Sequence, residues 1–234
     1  MKLVNELIES VKDYDCEVKR VCIGLHWTMV ESKYVGMAHT YKTNRKVELV
    51  DSGNLVGKRA FELALRMKSW EPLEASIGLA AINSLIEPAG FDGNVDGYIR
   101  SAAQGKTVTV IGRFPFNQQI SDFAKRVFFL EIEPDKNELP SFAAEEVIPE
   151  SDVVVITATT LINKSLPRLL ELAESKDSII LGPSTPMNDV LFRYGAKRLA
   201  GVKVVDSDAL MGSLMQGCKA FKKLAGVEPI VRTS

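Results

Sequence analysis

Thr107-Val108-Thr109-Val110-Ile111-Gly112-Arg113-Phe114-Pro115 is a run of five strand-forming residues that ends directly in a glycine and a bend. A short, continuous apolar run of this kind suits a strand buried on both faces of a parallel sheet. In open α/β sheets, ligands sit outside the carboxyl ends of such strands. The backbone at Gly112 is therefore expected to face a working crevice.

Working outward, further strand patterns occur at 127–132, 152–157, 178–182 and 202–206. Helical patterns at 117–126, 160–174 and 186–193 separate them, and one at 208–225 closes the series. This alternation predicts an α/β fold with a doubly wound parallel sheet and right-handed crossovers over residues 106–234. Residues 88–105 carry Pro88, Gly90, Gly93, Gly97 and Gly105 and read as a connection. Residues 1–87 read as a smaller α+β domain. Leu3, Leu7 and Val11 predict an amphipathic helix over 2–12. A strand from Val18 to Val30 pairs with Tyr34 to Tyr41 around Ser32-Lys33, which places His26 opposite His39. Helices follow over 54–68 and 72–86, the second with Pro72 in its first turn.

Composition narrows the function classes. The chain has 234 residues, 46% of them apolar, enough to bury a sizeable core. Lys plus Arg is 29 and Asp plus Glu is 30, so nothing in the charge balance calls for nucleic acid or an anionic membrane as a partner. The basic run Lys42-Thr43-Asn44-Arg45-Lys46 is short and reads as a solvated turn. Cys16, Cys22 and Cys218 are odd in number and widely spaced, which argues against a disulfide framework. Charges at Lys2, Glu6, Glu9 and Lys12 rule the first residues out as a signal peptide, and a cytoplasmic location is expected.

The candidate site is a set of strand ends. Gly112, Arg113, Phe114 and Pro115 follow the first strand and Glu131 ends the second. Thr157 and Asn163 follow the third, and Gly182, Pro183, Ser184 and Thr185 follow the fourth. A doubly wound sheet gathers these on one edge, where glycine admits a ligand close to backbone and hydroxyls or amides orient it. Ordinary βα-turn capping uses the same residue types. Arg113 is expected to pair with a ligand carboxylate. Ser184, Thr185 and Pro186 are expected to open a helix whose N-terminus attracts an anion. On helix 72–86, Ser76 and Asn83 form a polar stripe beside an apolar face and are candidates for the crevice wall, a solvent edge being the alternative.

Several familiar chemistries lack their residues. Gly112-Arg113-Phe114-Pro115-Phe116-Asn117 departs from G-x-G-x-x-G, although Glu131 lies where a ribose-binding acid would sit. Cys22 and His26 would be about 13 Å apart on one strand, and His26 with His39 supplies only two zinc ligands where at least three are needed.

Val110 to Phe116, Asp152 to Asn163, Leu181 to Pro186 and Ser76 to Asn83 together resemble a small family of prokaryotic proteins labelled "putative heavy-metal chelation". The resemblance covers nearly the whole chain. It implies an enolase N-terminal-like domain followed by a Rossmann-like domain, with a site between them. No thiol-rich or His-rich chelating cluster accompanies it, so making or handling a small chelator fits the residues better than sequestering metal.

Three functions compete at this point. The first is an enzyme or binding protein for a small polar, anionic molecule held between the domains. The second is an enzyme using a nucleotide or S-adenosylmethionine-type cofactor, with Glu131 at the ribose. The third is a non-catalytic metal carrier or sensor using His26, His39 and Cys22. The residues single out no general acid or base and no specific cofactor. A homodimer is also expected, because helices on one side of a small hairpin domain leave its other face to a partner.

Overall fold

The computed structural model describes residues 1–41 and 48–234, so the basic run at Lys42 to Lys46 lies outside the described residues. Leu3, Val4, Leu7 and Ile8 give α1 (Lys2–Glu9) one apolar face, and that face is buried. The chain continues through β1 (Arg20–Ile23), β2 (Trp27–Glu31), β3 (Val35–His39), α2 (Ala60–Ala64) and α3 (Pro72–Leu85). The three strands form an antiparallel sheet in chain order.

Two expectations about this sheet need correction. The single strand expected from Val18 to Val30 is broken at Gly24, whose N–H donates to the Trp27 carbonyl at 3.0 Å, so two strands replace one. The hairpin register is also one residue off: Trp27, not His26, lies opposite His39. The loop holds three residues instead of two because Ser84 of α3 draws it in. Tyr34 N–H donates to the Ser84 carbonyl at 2.9 Å, and the Ser32 hydroxyl bonds the Ser84 hydroxyl.

The second sheet is built from β4 (Phe91–Asp92), β5 (Thr107–Ile111), β6 (Arg126–Glu131), β7 (Leu139–Pro140), β8 (Val153–Thr157), β9 (Asp177–Leu181), β10 (Arg198–Val204) and β11 (Val227–Thr233). Its helices are α4 (Asp96–Ala103), α5 (Asn117–Ile120), α6 (Ala144–Val147), α7 (Leu166–Leu172), α8 (Asp189–Arg193) and α9 (Ser207–Met215). The strands lie in the order β4-β11-β10-β9-β8-β5-β6-β7. From β10 to β7 every pairing is parallel. Counted from β5, this is the order 3-2-1-4-5-6 of doubly wound folds, and the chain switches direction between β5 and β8.

The stretch 208–225 is not one helix. It stops at Met215, and the chain then forms β11, antiparallel to β10. The stretch 88–105 is more than a connection: β4 pairs with β11 at the sheet edge, and α4 packs under the sheet through Ile99 and Ala103.

The apolar side chains of the large sheet divide by strand alternation. Val108, Val110, Val153, Val155 and Ile179 pack with α4 on one face. Leu130, Val154, Ile156, Ile180 and Leu199 face the other way and share one continuous core with α1, α2 and α3. The N-terminal lobe is therefore sealed onto the sheet by ordinary hydrophobic burial. Its own sheet is covered twice. Val30 and Ala38 face the core shared with α3, and Gly36 brings α3 so close that a Cβ there would lie 2.1 Å from the Ala80 carbonyl. Met29 and Met37 face α9 through Leu210 and Leu214. The face expected to await a second subunit is thus occupied by this chain's own helix. Among the described residues, no helix is long and apolar enough to cross a membrane.

Candidate functional site

A cavity of about 1000 Å³ opens at the carboxyl ends of β5, β6, β8 and β9, with the N-terminal lobe as its far wall. Its position follows from topology: crossovers leave to opposite sides on either flank of the switch point, which leaves a crevice. Gly112, Arg113, Phe114, Pro115, Glu131, Thr157, Asn163, Gly182, Pro183 and Ser184 all line it. Strand ends scattered over seventy positions of sequence do therefore converge.

The switch point is tightly built. Gly112 has φ +107°, and a Cβ on it would lie 2.9 Å from both Cβ and Cγ2 of Thr157. Only glycine lets β5 and β8 end this close together with that backbone. The Thr157 hydroxyl accepts from Thr159 N–H, and the Thr160 hydroxyl donates to the Thr157 carbonyl at 2.6 Å, so local turn capping uses these groups.

Glu131 is the half-buried acid of the site. Burial pushes its carboxyl above the ordinary glutamate range, while the nearby Arg113 charge and the Ile132 N–H pull it back. Arg113 itself is engaged. Its Nε and Nη2 hold Glu138 at 2.8 and 2.6 Å, and Nη2 also reaches the Glu133 carbonyl at 3.0 Å. The fork expected to meet a ligand carboxylate is thus closed on a carboxylate of the chain itself.

The helix expected to open at Ser184, Thr185 and Pro186 does not start there. α8 starts later, with the Asn188 side chain accepting from Val190 N–H as its cap. The buried Ser184 hydroxyl accepts from His39 N–H at 2.8 Å. Thr185 lies outside the cavity lining, and its buried hydroxyl has no hydrogen-bond partner among the described residues.

Ser76 and Asn83 are not on the cavity wall. α3 is buried nearly all round, so its polar residues serve neighbouring backbone. Ser76 accepts from Tyr41 N–H at 3.1 Å and donates to the Pro72 carbonyl at 2.9 Å. Asn83 donates to Met37 and Ser184 carbonyls.

The wall facing Gly112 comes from residues that strand patterning did not assign to the crevice. Trp27, His39 and Tyr41 line it, with His39 edge-on to both rings at centroid distances of 5.6 and 6.2 Å. The one available signal was the two-residue spacing of His39 and Tyr41, which puts both on one strand face. Burial pushes the Tyr41 phenol up, and the nearby Asn163 side chain opposes the shift. Asn163 accepts from Ser165 N–H and hydroxyl, fixing its own loop. His26 lines the cavity too, but Cys22 packs beneath α9. Among the described residues, no three His, Cys, Asp or Glu side chains come together as a metal-binding group.

A parallel sheet in this order, with a cavity at its switch point and a small α+β lobe across it, defines a two-lobed Rossmann-like α/β protein. The chain belongs to the family described as "Putative heavy-metal chelation": one family model with that description matches residues 97–227 and a second matches residues 4–86. A crystal structure of a protein of unknown function from the DUF364 family of Desulfitobacterium hafniense is similar to it, with TM-score 0.90 and 26% identity over 100% of this chain and 98% of that one. A second DUF364 crystal structure, from Pyrococcus horikoshii, shares the fold at TM-score 0.82 and 18% identity, covering 100% and 98%. An uncharacterized protein of Methanocaldococcus jannaschii is 24% identical over 226 residues, which is 88% of this chain and 85% of that protein.

Proposed function

We propose that this chain binds a small organic molecule in the cavity between its lobes, and that it belongs to the making or handling of a metal-chelating compound. The observation that carries this reading is the cavity itself. Its volume of about 1000 Å³ falls at the top of the range of small-molecule sites, roughly 300–1,000 Å³. Its wall is mostly apolar and aromatic, with a few convergent polar groups at Glu131, Thr157 and Tyr41.

The anionic ligand expected from sequence loses its two main supports, because Arg113 is held by Glu138 and Ser184 by His39 N–H. A ligand that buries apolar surface and donates hydrogen bonds fits the groups better. The heavy-metal wording of the family fits a chelator as ligand, since no three-residue ligand cluster is formed among the described residues.

Crystals of the full chain soaked with a library of small organic fragments test this reading. Fragment density concentrated against Gly112, Thr157 and Tyr41 is expected. Fragments spread over the outer surface, with none between the lobes, overturn it.

A further inference from the structure

We propose that the part of the cavity above β6 takes a nucleoside moiety, a flat base joined to ribose without a diphosphate, with the Glu131 carboxylate accepting from the ribose hydroxyls and the base lying against Ile132 and Phe142. This rests on the reading of the cavity as a ligand site and narrows its chemistry.

Three observations carry it. First, Glu131 ends the second strand of a 3-2-1-4-5-6 sheet, where an acid is placed to receive ribose hydroxyls. It lines the cavity, and Arg113, whose charge reaches it, makes its hydrogen bonds to Glu138. A half-buried carboxylate without an ion-pair partner among the described residues gains from neutral donors such as a vicinal diol.

Second, two large apolar side chains close to the end of β6 stand open. Ile132 is 53% exposed and Phe142 is 79% exposed, and both line the cavity. The short turn Ser141–Ala143 that carries Phe142 packs beside β6. An aromatic base covering both buries surface that water now wets.

Third, the loop after β5 is built without a diphosphate cradle. Gly112 is followed by side chains at Arg113, Phe114 and Pro115, and the helix beyond, α5, has four residues. Asn117 closes the loop on itself, accepting from Phe114 N–H and donating to the Gly112 carbonyl. The Phe114 N–H, one backbone donor a phosphate could meet here, is thereby used.

Calorimetric titration of the full chain with adenosine, S-adenosylmethionine, 2′-deoxyadenosine and NAD tests the inference. Saturable binding of adenosine or S-adenosylmethionine is expected, with NAD no tighter than adenosine. Glu131→Gln and removal of the 2′-hydroxyl should each weaken binding by about tenfold or more, as for loss of a hydrogen bond to a charged group. The 2′-deoxyadenosine comparison uses the unaltered protein, so it stands even where the variant folds poorly. Failure of every nucleoside to bind, equal binding in either comparison, or tighter binding of NAD overturns the inference. Fragments seated between the lobes with no nucleoside binding sink this inference alone, whereas an empty cavity in the fragment soak sinks the wider reading as well.

Discussion

Asn83 of α3 donates through one amide group to the Ser184 carbonyl at 3.1 Å and the Met37 carbonyl at 2.8 Å. One side chain thus ties the turn after β9 to β3 of the other lobe. Ser184 returns the tie by accepting from His39 N–H at 2.8 Å. Asn83→Ala leaves two part-buried carbonyls without that donor. A loss of about 1–3 kcal/mol is expected, seen as a lower urea midpoint at unchanged slope.

Gly112→Ala places a Cβ 2.9 Å from Thr157 at φ +107°. The backbone conformation alone should cost about 1–3 kcal/mol, with the collision added to it. In a Thr157→Gly background the collision partner is gone, so the same substitution should cost less. Additive costs in a double-mutant cycle would show that the two residues do not collide.

Glu74 and Arg66 form an ion pair whose side chains are only 9% and 10% exposed, 2.9 Å apart, with Glu74 also accepting from Val50 N–H at 2.9 Å. Removing Glu74 leaves the buried Arg66 guanidinium with the more exposed Asp51 at 3.3 Å as its remaining carboxylate and takes the acceptor from Val50 N–H. Glu74→Ala is expected to cost about 3–5 kcal/mol, and a thermal or urea unfolding curve unchanged from the parent would refute it.

Lys164 sits in the loop after β8 with φ +68°. Burial pushes its amine down to about 8 from the ordinary 10.5. Between those values the unfolded chain holds a proton that the folded chain has released. The unfolded state binds more protons there, so this residue makes stability rise with pH across that window. Below it, the charged, half-buried amine opposes folding in full. Lys164→Met should therefore be relatively stabilised at pH 7, and the parent should close the gap as pH climbs from 8 toward 10.5. Urea titrations of both proteins at several pH values read the difference directly, and a gap that stays constant with pH counts against the assignment.

The strands β5, β6, β8 and β9 were legible because each is a short apolar run ending in glycine or polar residues, and parallel sheets bury such runs on both faces. Their convergence at one rim follows from the alternation of strands and helices alone. β11 was not legible. Pro229 interrupts its pattern, and the neighbouring apolar residues continue the helical spacing of α9. The register of the hairpin depended on Ser84, fifty residues downstream, drawing Tyr34 into the loop. No local pattern reports a partner at that distance. Ser76 and Asn83 stand out on an apolar helix, but a helix buried nearly all round and a helix at a crevice need the same polar residues. The roles of Arg113 and Ser184 turned on Glu138 and His39, which only the folded chain brings within reach.

Met29 and Met37 find their cover in Leu210 and Leu214 of α9. A nascent polypeptide that has emerged only through α3 therefore carries two bare methionines on an otherwise finished sheet, and it must wait for almost all of its remaining length before they are hidden. Such a delay favours slow, late closure over stepwise maturation from the amino end.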